Sequence, residues 1–503
     1  MYNFKNTTLT NGFDRSNLNN AQQNNYAWSI SELDKYIYIG TGRNIPYNIL
    51  KSINSSIIPP NSITPNPVDN LPEIWRYRKN CSLPWEKVYT APDFTNISGF
   101  RYMITHKPFN RDTFLYAASY GGPNVIVFKS TNGVNWFPLT DTVLKGTSSR
   151  AMLTHLGKLY IATIDEANPS PYPQLYRSVD PQYYSWEPVI DNTAPNFNPS
   201  LNPSGSISNM AIFNNKIYVA TSSSDGAAVW RTNGPEPKLN DWTLIVDKGF
   251  GDAANKYTLS IGVYKNYLYV SGTKQLPLAW LIPLGCDIIR ISKTDRWDLV
   301  VGGPALIPSI PTKGVRNKSL SGLYSGFNNP FNVYAWQIKQ YNDKLLISTF
   351  DDSINMEVIL DTLLSNKIEI QNLIGKLATN TIIKIYKNIV ELLNESKYPF
   401  GFDLYESTDG IHFTPVLLNG FCNKYNYGGR LLYVNSSNDL YIGTANPFQG
   451  CEVWKAKYEA CSNHCHSYHH NYSYLFYIRK ELAENYNLLK TYMPTILKFI
   501  SKN

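Results

Sequence analysis

A short phrase that recurs seven times restricts the fold more than any other feature of this sequence. Each copy is an apolar strand, then a small residue, then Thr, Ser or Gly. The copies begin at Tyr36, Phe114, Lys158, Lys216, Tyr267, Lys344 and Asp439. Such self-similarity is the signature of architectures built from stacked or radially arranged units.

The sequence around each copy predicts a four-stranded unit. An apolar strand precedes each phrase, and most copies are followed by a third strand that ends in a polar residue. A fourth strand often opens with an aromatic residue: Trp85, Trp136, Trp186, Trp242, Trp297 and Phe413. Seven such units arranged radially make an all-β, seven-bladed β-propeller over residues 1–458. The regular recurrence argues against the rival fold, a two-sheet β-sandwich.

The seventh unit shows only three strands before residue 458. We expect the N-terminal segment around Tyr2–Leu9 to supply its outer strand and close the ring. Two tight-turn phrases, 130–133 and 407–410, resemble a shortened Asp-box, a hairpin motif that is structural and implies no substrate.

Composition excludes several classes of protein. Apolar residues make up 43% of the chain and charged residues 17%, a balance unsuited to disorder. No run of about 18 uncharged apolar residues predicts a membrane span. The net charge of +8 is mild for 503 residues, and without a Lys/Arg run it does not favour nucleic acid. The first residues lack an apolar signal core, so we expect a cytoplasmic protein with free thiols.

The repeat register predicts which side chains enter the central channel. In five units, the residue ten positions before the repeat tyrosine, or before the residue equivalent to it, is Trp28, Arg150, Ser208, Leu259 or Trp336. Two units have longer first hairpins, and allowing for that length places Arg101 and Arg430 in the same ring. Three arginines in one channel repel each other unless something anionic compensates. The alternative is that each arginine pairs with a loop carboxylate.

Carboxylates and phenols are predicted at the same face. The ends of the second strands carry the acidic residues Asp165, Glu166, Asp225, Asp351 and Asp352. Tyr425 and Tyr427 precede Arg430. A carboxylate, a phenol and a guanidinium together could remove a proton and bind a departing anion. For each residue the alternative is a loop hydrogen bond.

Insertions lengthen the same face. Residues 275–285 form an apolar loop that contains Trp280. Residues 353–397 show the apolar periodicity of two or three helices in the sixth unit. These helices would form a lid over the channel, a wall for an apolar ligand, or a homodimer contact.

The tail, 459–503, is predicted to be a separate segment. Cys461, His464 and Cys465 have spacings that can bind zinc or copper, but no second ligand pair follows. The alternative is an incidental or crosslinking tail. A helix is predicted from Tyr474 to about Lys502.

Phrases of the sixth and seventh units resemble a known family. They are Tyr334-Ala335-Trp336, Ser348-Thr349-Phe350-Asp351, Gly401-Phe402-Asp403-Leu404, Tyr425-Asn426-Tyr427-Gly428-Gly429-Arg430 and Gly443-Thr444-Ala445-Asn446-Pro447-Phe448. In them the chain resembles the propeller of the CylK-like cyanobacterial alkylating enzymes, which form cylindrocyclophanes. The resemblance implies a site of arginine, aspartate and tyrosine at the propeller mouth. The matching positions are Arg101, Asp351 and Tyr427, with Tyr425 as the alternative tyrosine.

The resemblance implies an enzyme that joins a secondary alkyl halide to a resorcinol-type ring or a carboxylate in natural-product biosynthesis. Arg101, with Arg150 and Arg430, would bind the leaving halide, Asp351 would accept the proton, and Tyr427 would orient one partner. Trp28, Trp336 and Trp280 would hold rings and alkyl chains. No cofactor is required, although structural calcium and a tail zinc are compatible with the sequence.

One departure and two alternatives qualify this hypothesis. The family's calcium-binding β-roll, with Gly-Gly-x-Gly-x-Asp repeats, does not occur in this chain. One alternative is a non-catalytic propeller that binds a protein or an anionic ligand. The other is a sialidase-like hydrolase, because three arginines can hold a carboxylate.

Overall fold

The strands of the chain form successive antiparallel groups. The computed structural model describes residues 2–53, 61–139, 144–166, 168–458 and 473–500. The strands of the first three groups are β2 (Asn24–Leu33), β3 (Tyr36–Arg43), β4 (Glu73–Arg78) and β5 (Glu86–Thr90), then β6 (Ile97–His106), β7 (Phe114–Gly121), β8 (Val127–Ser130) and β9 (Trp136–Pro138), then β10 (Ser148–His155), β11 (Lys158–Ile164), β12 (Gln174–Ser178) and β13 (Glu187–Pro188). The next two are β14 (Ser206–Phe213), β15 (Lys216–Ser222), β16 (Ala228–Thr232) and β17 (Trp242–Val246), then β18 (Asn255–Tyr257), β19 (Ile261–Tyr264), β20 (Tyr267–Lys274), β21 (Asp287–Ser292) and β22 (Trp297–Val301). The last two are β23 (Asn332–Tyr341), β24 (Lys344–Asp351), β25 (Leu404–Ser407) and β26 (Thr414–Leu417), then β27 (Gly428–Val434), β28 (Leu440–Ala445), β29 (Val453–Tyr458) and the N-terminal β1 (Tyr2–Asn6).

The groups follow one another in cyclic order. The second strand of one group is bridged to the first strand of the next at Gly42↔Gly99, Tyr120↔Ser148 and Phe350↔Gly428. The first strands of the other neighbours also contact each other in sequence. The last group returns to the first through Ala445↔Tyr26. The chain is therefore mostly β, with the radial strand order typical of propellers.

The N-terminal strand completes the last group. β1 pairs antiparallel with β29, from Tyr2↔Tyr458 to Asn6↔Trp454. The prediction that the N-terminal segment supplies this outer strand is confirmed. Because the two partners are more than 440 residues apart in sequence, this pairing joins the ends of the ring.

Four groups share a buried clamp between an asparagine and an acid. The asparagine lies at or just before the first strand, and its Nδ2 donates both to a Gly-Phe turn carbonyl and to the acid at or just before the third strand. The pairs are Asn24–Glu73 at 2.9 Å, Asn255–Asp287 at 2.8 Å, Asn332–Asp403 at 2.7 Å and Asn426–Glu452 at 2.9 Å. The turn carbonyls belong to Gly12, Gly249, Gly326 and Gly420. The clamp satisfies polar groups that would otherwise be buried unpaired.

Most helices pack beside the fifth and sixth groups. The helices are α1 (Leu18–Gln23), α2 (Ile45–Ile53), α3 (Leu278–Leu281), α4 (Asn355–Ser365), α5 (Lys367–Ile374), α6 (Lys376–Glu395), α7 (Ser473–Glu484) and α8 (Tyr486–Ile500). Side chains of α3 to α8 share one apolar cluster. The insertion, for which two or three helices are predicted, has three: α4, α5 and α6. The single predicted tail helix is wrong, because the tail has two helices that separate at Asn485.

Among the described residues, no helix combines the length and the apolar character needed to cross a membrane. The predicted metal ligands Cys461, His464 and Cys465 lie outside the described residues.

Candidate functional site

β-Bulges recur in the first strands of the groups. In six first strands the pairing skips a residue at the position that the register argument predicts, and these residues are Trp28, Arg101, Arg150, Ser208, Trp336 and Arg430. Three of these strands also skip their second residue, which is Asn25, Ser98 or Val333. Leu259, the equivalent residue of the fifth group, lies in the break between β18 and β19. A bulge leaves one residue unpaired and redirects its side chain. Six of the seven positions from the register argument are thus bulge residues, and the seventh, Leu259, lies in a break between two strands.

Arg101 and Arg150 share one carboxylate. Glu166 Oε1 lies 2.6 Å from Arg101 Nη1, and Glu166 Oε2 lies 2.6 Å from Arg150 Nη2. Burial and the neighbouring Arg150 lower the pKa of Arg101 to about 10. Burial opposes the charge of Glu166, but the two arginines outweigh it and lower its pKa to about 2. The arginine side chains remain 13% and 16% exposed, so solvent reaches both.

Among the residues that the structure describes, no carboxylate forms an ion pair with Arg430. Among the described residues its Nε is buried without a hydrogen-bond partner. Burial and the nearby Arg101 lower the pKa of Arg430 to about 9. Three guanidinium charges and the single Glu166 charge therefore leave two positive charges at this site, which favours an anion.

Each of two arginines lies over a tryptophan. The Arg101 guanidinium is 5.1 Å from the centre of the Trp28 ring, and that of Arg430 is 5.3 Å from the Trp336 ring. Tyr26 stands between the two indoles, with ring centres 5.9 Å from Trp28 and 5.8 Å from Trp336. Both pairs have the geometry of cation–π contacts.

Glycines create the space for both indoles. A Cβ on Gly99 or Gly42 would lie 2.3 Å or 2.4 Å from a Trp28 ring carbon, and a Cβ on Gly428 would lie 2.2 Å from a Trp336 ring carbon. Any larger residue at these positions must displace the ring. The close approach of backbone to indole thus explains why three glycines occupy these strands.

The phenols belong to the same aromatic cluster. The hydroxyls of Tyr26 and Tyr427 hydrogen-bond to each other, and Trp280 Nε1 donates to the Tyr334 hydroxyl. Burial, and the adjacent Tyr26, hold the pKa of Tyr427 well above its ordinary value. Tyr427 and Trp280 therefore lie in one cluster with Tyr26 and Tyr334, and the Tyr427 phenol is strongly held in its neutral form.

Asp351 does not join the arginines. It is 1% exposed, and its carboxylate accepts from Tyr398, Ser353 and, at 3.2 Å, Asn329 Nδ2. Burial raises the pKa of Asp351. The predicted trio of Arg101, Asp351 and Tyr427 is therefore not assembled, because partners from the loop before β23 and from the segment after α6 hold the carboxylate.

The ring of Tyr425 packs against Phe448 with a centre-to-centre distance of 5.0 Å. Phe448 in turn packs against the cluster that contains Tyr26 and Tyr427, so Tyr425 lies beside this cluster. Sequence reasoning missed Tyr26, although the Tyr-x-Trp phrase at Tyr26 and again at Tyr334 marks both tyrosines as a recurring element.

No cluster of three or more His, Cys, Asp or Glu side chains suited to a metal ion occurs among the described residues. The helical insertion itself has exposed apolar side chains, namely Val358, Leu364, Ile368, Leu373 and Leu377. A homodimer contact there stays a prediction.

No family model and no curated protein matches the chain. Among solved structures, it is similar to the subtype N10 neuraminidase-like protein of A/little yellow-shouldered bat/Guatemala/060/2010. The identity is 11%, 71% of this chain and 94% of that chain are covered, and the TM-score is 0.36. It is similar to the soluble aldose sugar dehydrogenase of Escherichia coli with 11% identity, coverage of 91% and 99%, and a TM-score of 0.35. It is also similar to a GH43_1 enzyme of Xanthomonas citri with 10% identity, coverage of 69% and 84%, and a TM-score of 0.30. These likenesses are too distant to carry a function.

Proposed function

We propose that the chain is a seven-bladed β-propeller whose channel binds a small organic anion through Arg101, Arg150 and Arg430. The observation that carries this proposal is the charge count among the described residues, in which three neighbouring guanidiniums share the one carboxylate of Glu166. At about 4 Å and an effective dielectric near 20, one unpaired guanidinium attracts a monovalent anion by about 4 kcal/mol. This attraction is set against the cost of desolvating both ions.

The aromatic surroundings select the rest of the ligand. Trp28 and Trp336 flank the arginines, and apolar side chains of the first, second, fifth, sixth and seventh groups join the same cluster. A carboxylate that carries an aromatic ring or an alkyl chain fits this combination of charge and apolar surface. Apolar walls exclude water and strengthen the charge interaction.

Titration calorimetry with 4-phenylbutyrate tests the proposal, with the uncharged 4-phenylbutyramide as the matched ligand. We expect the amide to bind the wild type at least tenfold more weakly than the acid does. We expect the Arg430→Met variant to bind 4-phenylbutyrate more weakly than the wild type by a similar factor. Arg231→Met is the matched control, because Arg231 pairs with Asp295 at 2.7 Å outside the ring. Equal binding of acid and amide, or full affinity in the Arg430 variant, contradicts the proposal.

The second candidate is the alkylation that the family resemblance implies. In this reaction the C–Cl bond of a secondary alkyl chloride breaks, and a bond forms to a resorcinol ring carbon or a carboxylate oxygen. Chloride would leave toward Arg101 and Arg430, and the ring proton would pass to a base. The excess positive charge beside the two indoles favours this candidate. The buried position of Asp351 weighs against it as the base.

Chloride release from a long-chain secondary alkyl chloride, with resorcinol as acceptor, tests this candidate. Release that requires the acceptor and is lost in Arg101→Ala supports alkylation. Absence of release from protein that still binds 4-phenylbutyrate leaves anion binding and removes alkylation. The sialidase-like alternative is weaker, because burial raises the pKa of Tyr26 and Tyr427 while Glu166 is committed to two arginines.

A further inference from the structure

The Asn–acid clamps differ at one position, the last residue of the second strand. In the first group this residue is Arg43, whose Nη1 donates to the clamp Asn24 Oδ1 at 3.0 Å. In the fifth group it is Lys274, whose Nζ donates to Asn255 Oδ1 at 2.9 Å and forms an ion pair with Asp287 at 3.2 Å. The equivalent residue thus supplies a cation to the clamp.

The seventh group replaces the cation with a neutral donor. The residue after β28, Asn446, donates through Nδ2 to the clamp Asn426 Oδ1 at 3.0 Å. The clamp acid Glu452 also accepts from Asn423 Nδ2 at 2.8 Å and Trp454 Nε1 at 2.7 Å. Three clamps therefore place a donor against the asparagine Oδ1.

The sixth group has a carboxylate at this position. Strand β24 ends at Asp351, so an acid stands where Arg43 and Lys274 stand in their groups. Asn332 is fully buried, and its Oδ1 has no hydrogen-bond partner among the described residues. A single atom, Asn329 Nδ2, lies 3.2 Å from Asp351 Oδ2 and 3.4 Å from Asp403 Oδ2, so the two carboxylates are neighbours.

We propose that the clamp of the sixth group binds a hard divalent cation, calcium, at the place that the arginine and lysine side chains occupy in the first and fifth groups. Its oxygen ligands are the carboxylates of Asp351 and Asp403, the amide oxygen of Asn332 and the hydroxyl of Tyr398. Two negative charges require a divalent ion for balance, and oxygen donors of this kind suit calcium.

Among the described residues, no lysine or arginine forms an ion pair with Asp351, Asp352 or Asp403, and none is a leading influence on their charge. In contrast, Asp287 of the fifth group faces both Lys274 and Arg316. Because this site has two carboxylates rather than three or more, we expect a dissociation constant of about 0.1–1 mM, the range of weak calcium modules.

The test is calcium titration calorimetry on the full chain after dialysis against EDTA. We expect one calcium per chain for the wild type. Asp351→Asn keeps the shape of the side chain and removes one charge, and we expect it to bind calcium at least tenfold more weakly. Asp351→Lys reproduces the fifth group, and we expect it to abolish binding while retaining or raising the thermal midpoint without calcium.

Glu452→Gln is the matched control, because it alters a clamp acid in a group that already has a neutral donor. We expect it to retain the wild-type calcium affinity. The proposal is overturned if the wild type takes up no calcium at a calcium concentration tenfold above the weakest expected dissociation constant of about 1 mM. It is also overturned if Asp351→Asn binds calcium as tightly as the wild type. It is also overturned if Asp351→Lys folds and still binds calcium. The wild type would then neutralise the two carboxylates with a shared proton.

Discussion

Replacing Arg430 with methionine should stabilise the fold and weaken anion binding. Methionine has a similar length and can pack on Trp336, but it carries no charge. Arg430 lacks a carboxylate partner among the described residues, and it lies near Arg101 and Arg150. A residue that costs stability in the free protein while it serves binding is typical of functional sites.

The size of the effect follows from the electrostatics of the free protein. Burial and Arg101 lower the pKa of Arg430 to about 9. At 1.36 kcal/mol per pKa unit, this shift corresponds to at most about 5 kcal/mol of unfavourable energy. Solvent reaches part of the side chain, and the lost contact with Trp336 costs about 0.5–1 kcal/mol. We therefore expect Arg430→Met to raise the free energy of unfolding by about 1–3 kcal/mol.

Urea unfolding at low ionic strength measures this gain, and calorimetry with 4-phenylbutyrate measures the loss of affinity. The stability gain should shrink when the ligand is added, because only the wild type binds it tightly. A variant that is destabilised by more than about 1 kcal/mol and keeps its affinity would refute the reasoning. Arg430 would then be a packing residue.

Three further predictions concern the same site and the ring. Glu166 has a folded pKa of about 2, below its usual value. Its charge therefore stabilises the fold by about 1–2 kcal/mol above about pH 5, and this stabilisation is lost as the pH falls toward about 2. The difference in urea midpoint between the wild type and Glu166→Gln should shrink over the same pH range. Gly99→Ala places a Cβ 2.3 Å from a Trp28 ring carbon, and it should cost about 1–3 kcal/mol and reduce anion affinity without changing charge; calorimetry with unchanged affinity would contradict this. Deletion of residues 1–6 removes β1 and should lower the unfolding free energy by about 3 kcal/mol, which urea unfolding measures. An unchanged midpoint would show that this strand does not close the ring.

The repeat made much of the fold predictable. The apolar phrase recurs because each second strand is buried on both faces, so its pattern survives in every unit. The same regularity located the inner-strand positions and the N-terminal strand. Trp28 could be placed from its distance to the repeat alone, whereas Arg101 and Arg430 also needed an allowance for longer first hairpins.

The partners of these residues were less predictable. Glu166 bridges Arg101 and Arg150, and this pairing depends on a loop conformation that no local pattern encodes. Asp351 is drawn away by Tyr398, which lies 47 residues later, beyond the helical insertion. Bulges also leave no local signature, because one extra residue in a strand changes the pairing without changing the composition.

A bromide-soaked crystal measured at the bromine absorption edge tests the central claim most directly. Bromide is a monovalent anion whose anomalous signal locates it without assumptions about the natural ligand. The account predicts an anomalous peak within contact distance of the guanidiniums of Arg430 and Arg101, which is lost in Arg430→Met. Bromide that binds only elsewhere on the surface, with none between these arginines, would contradict it.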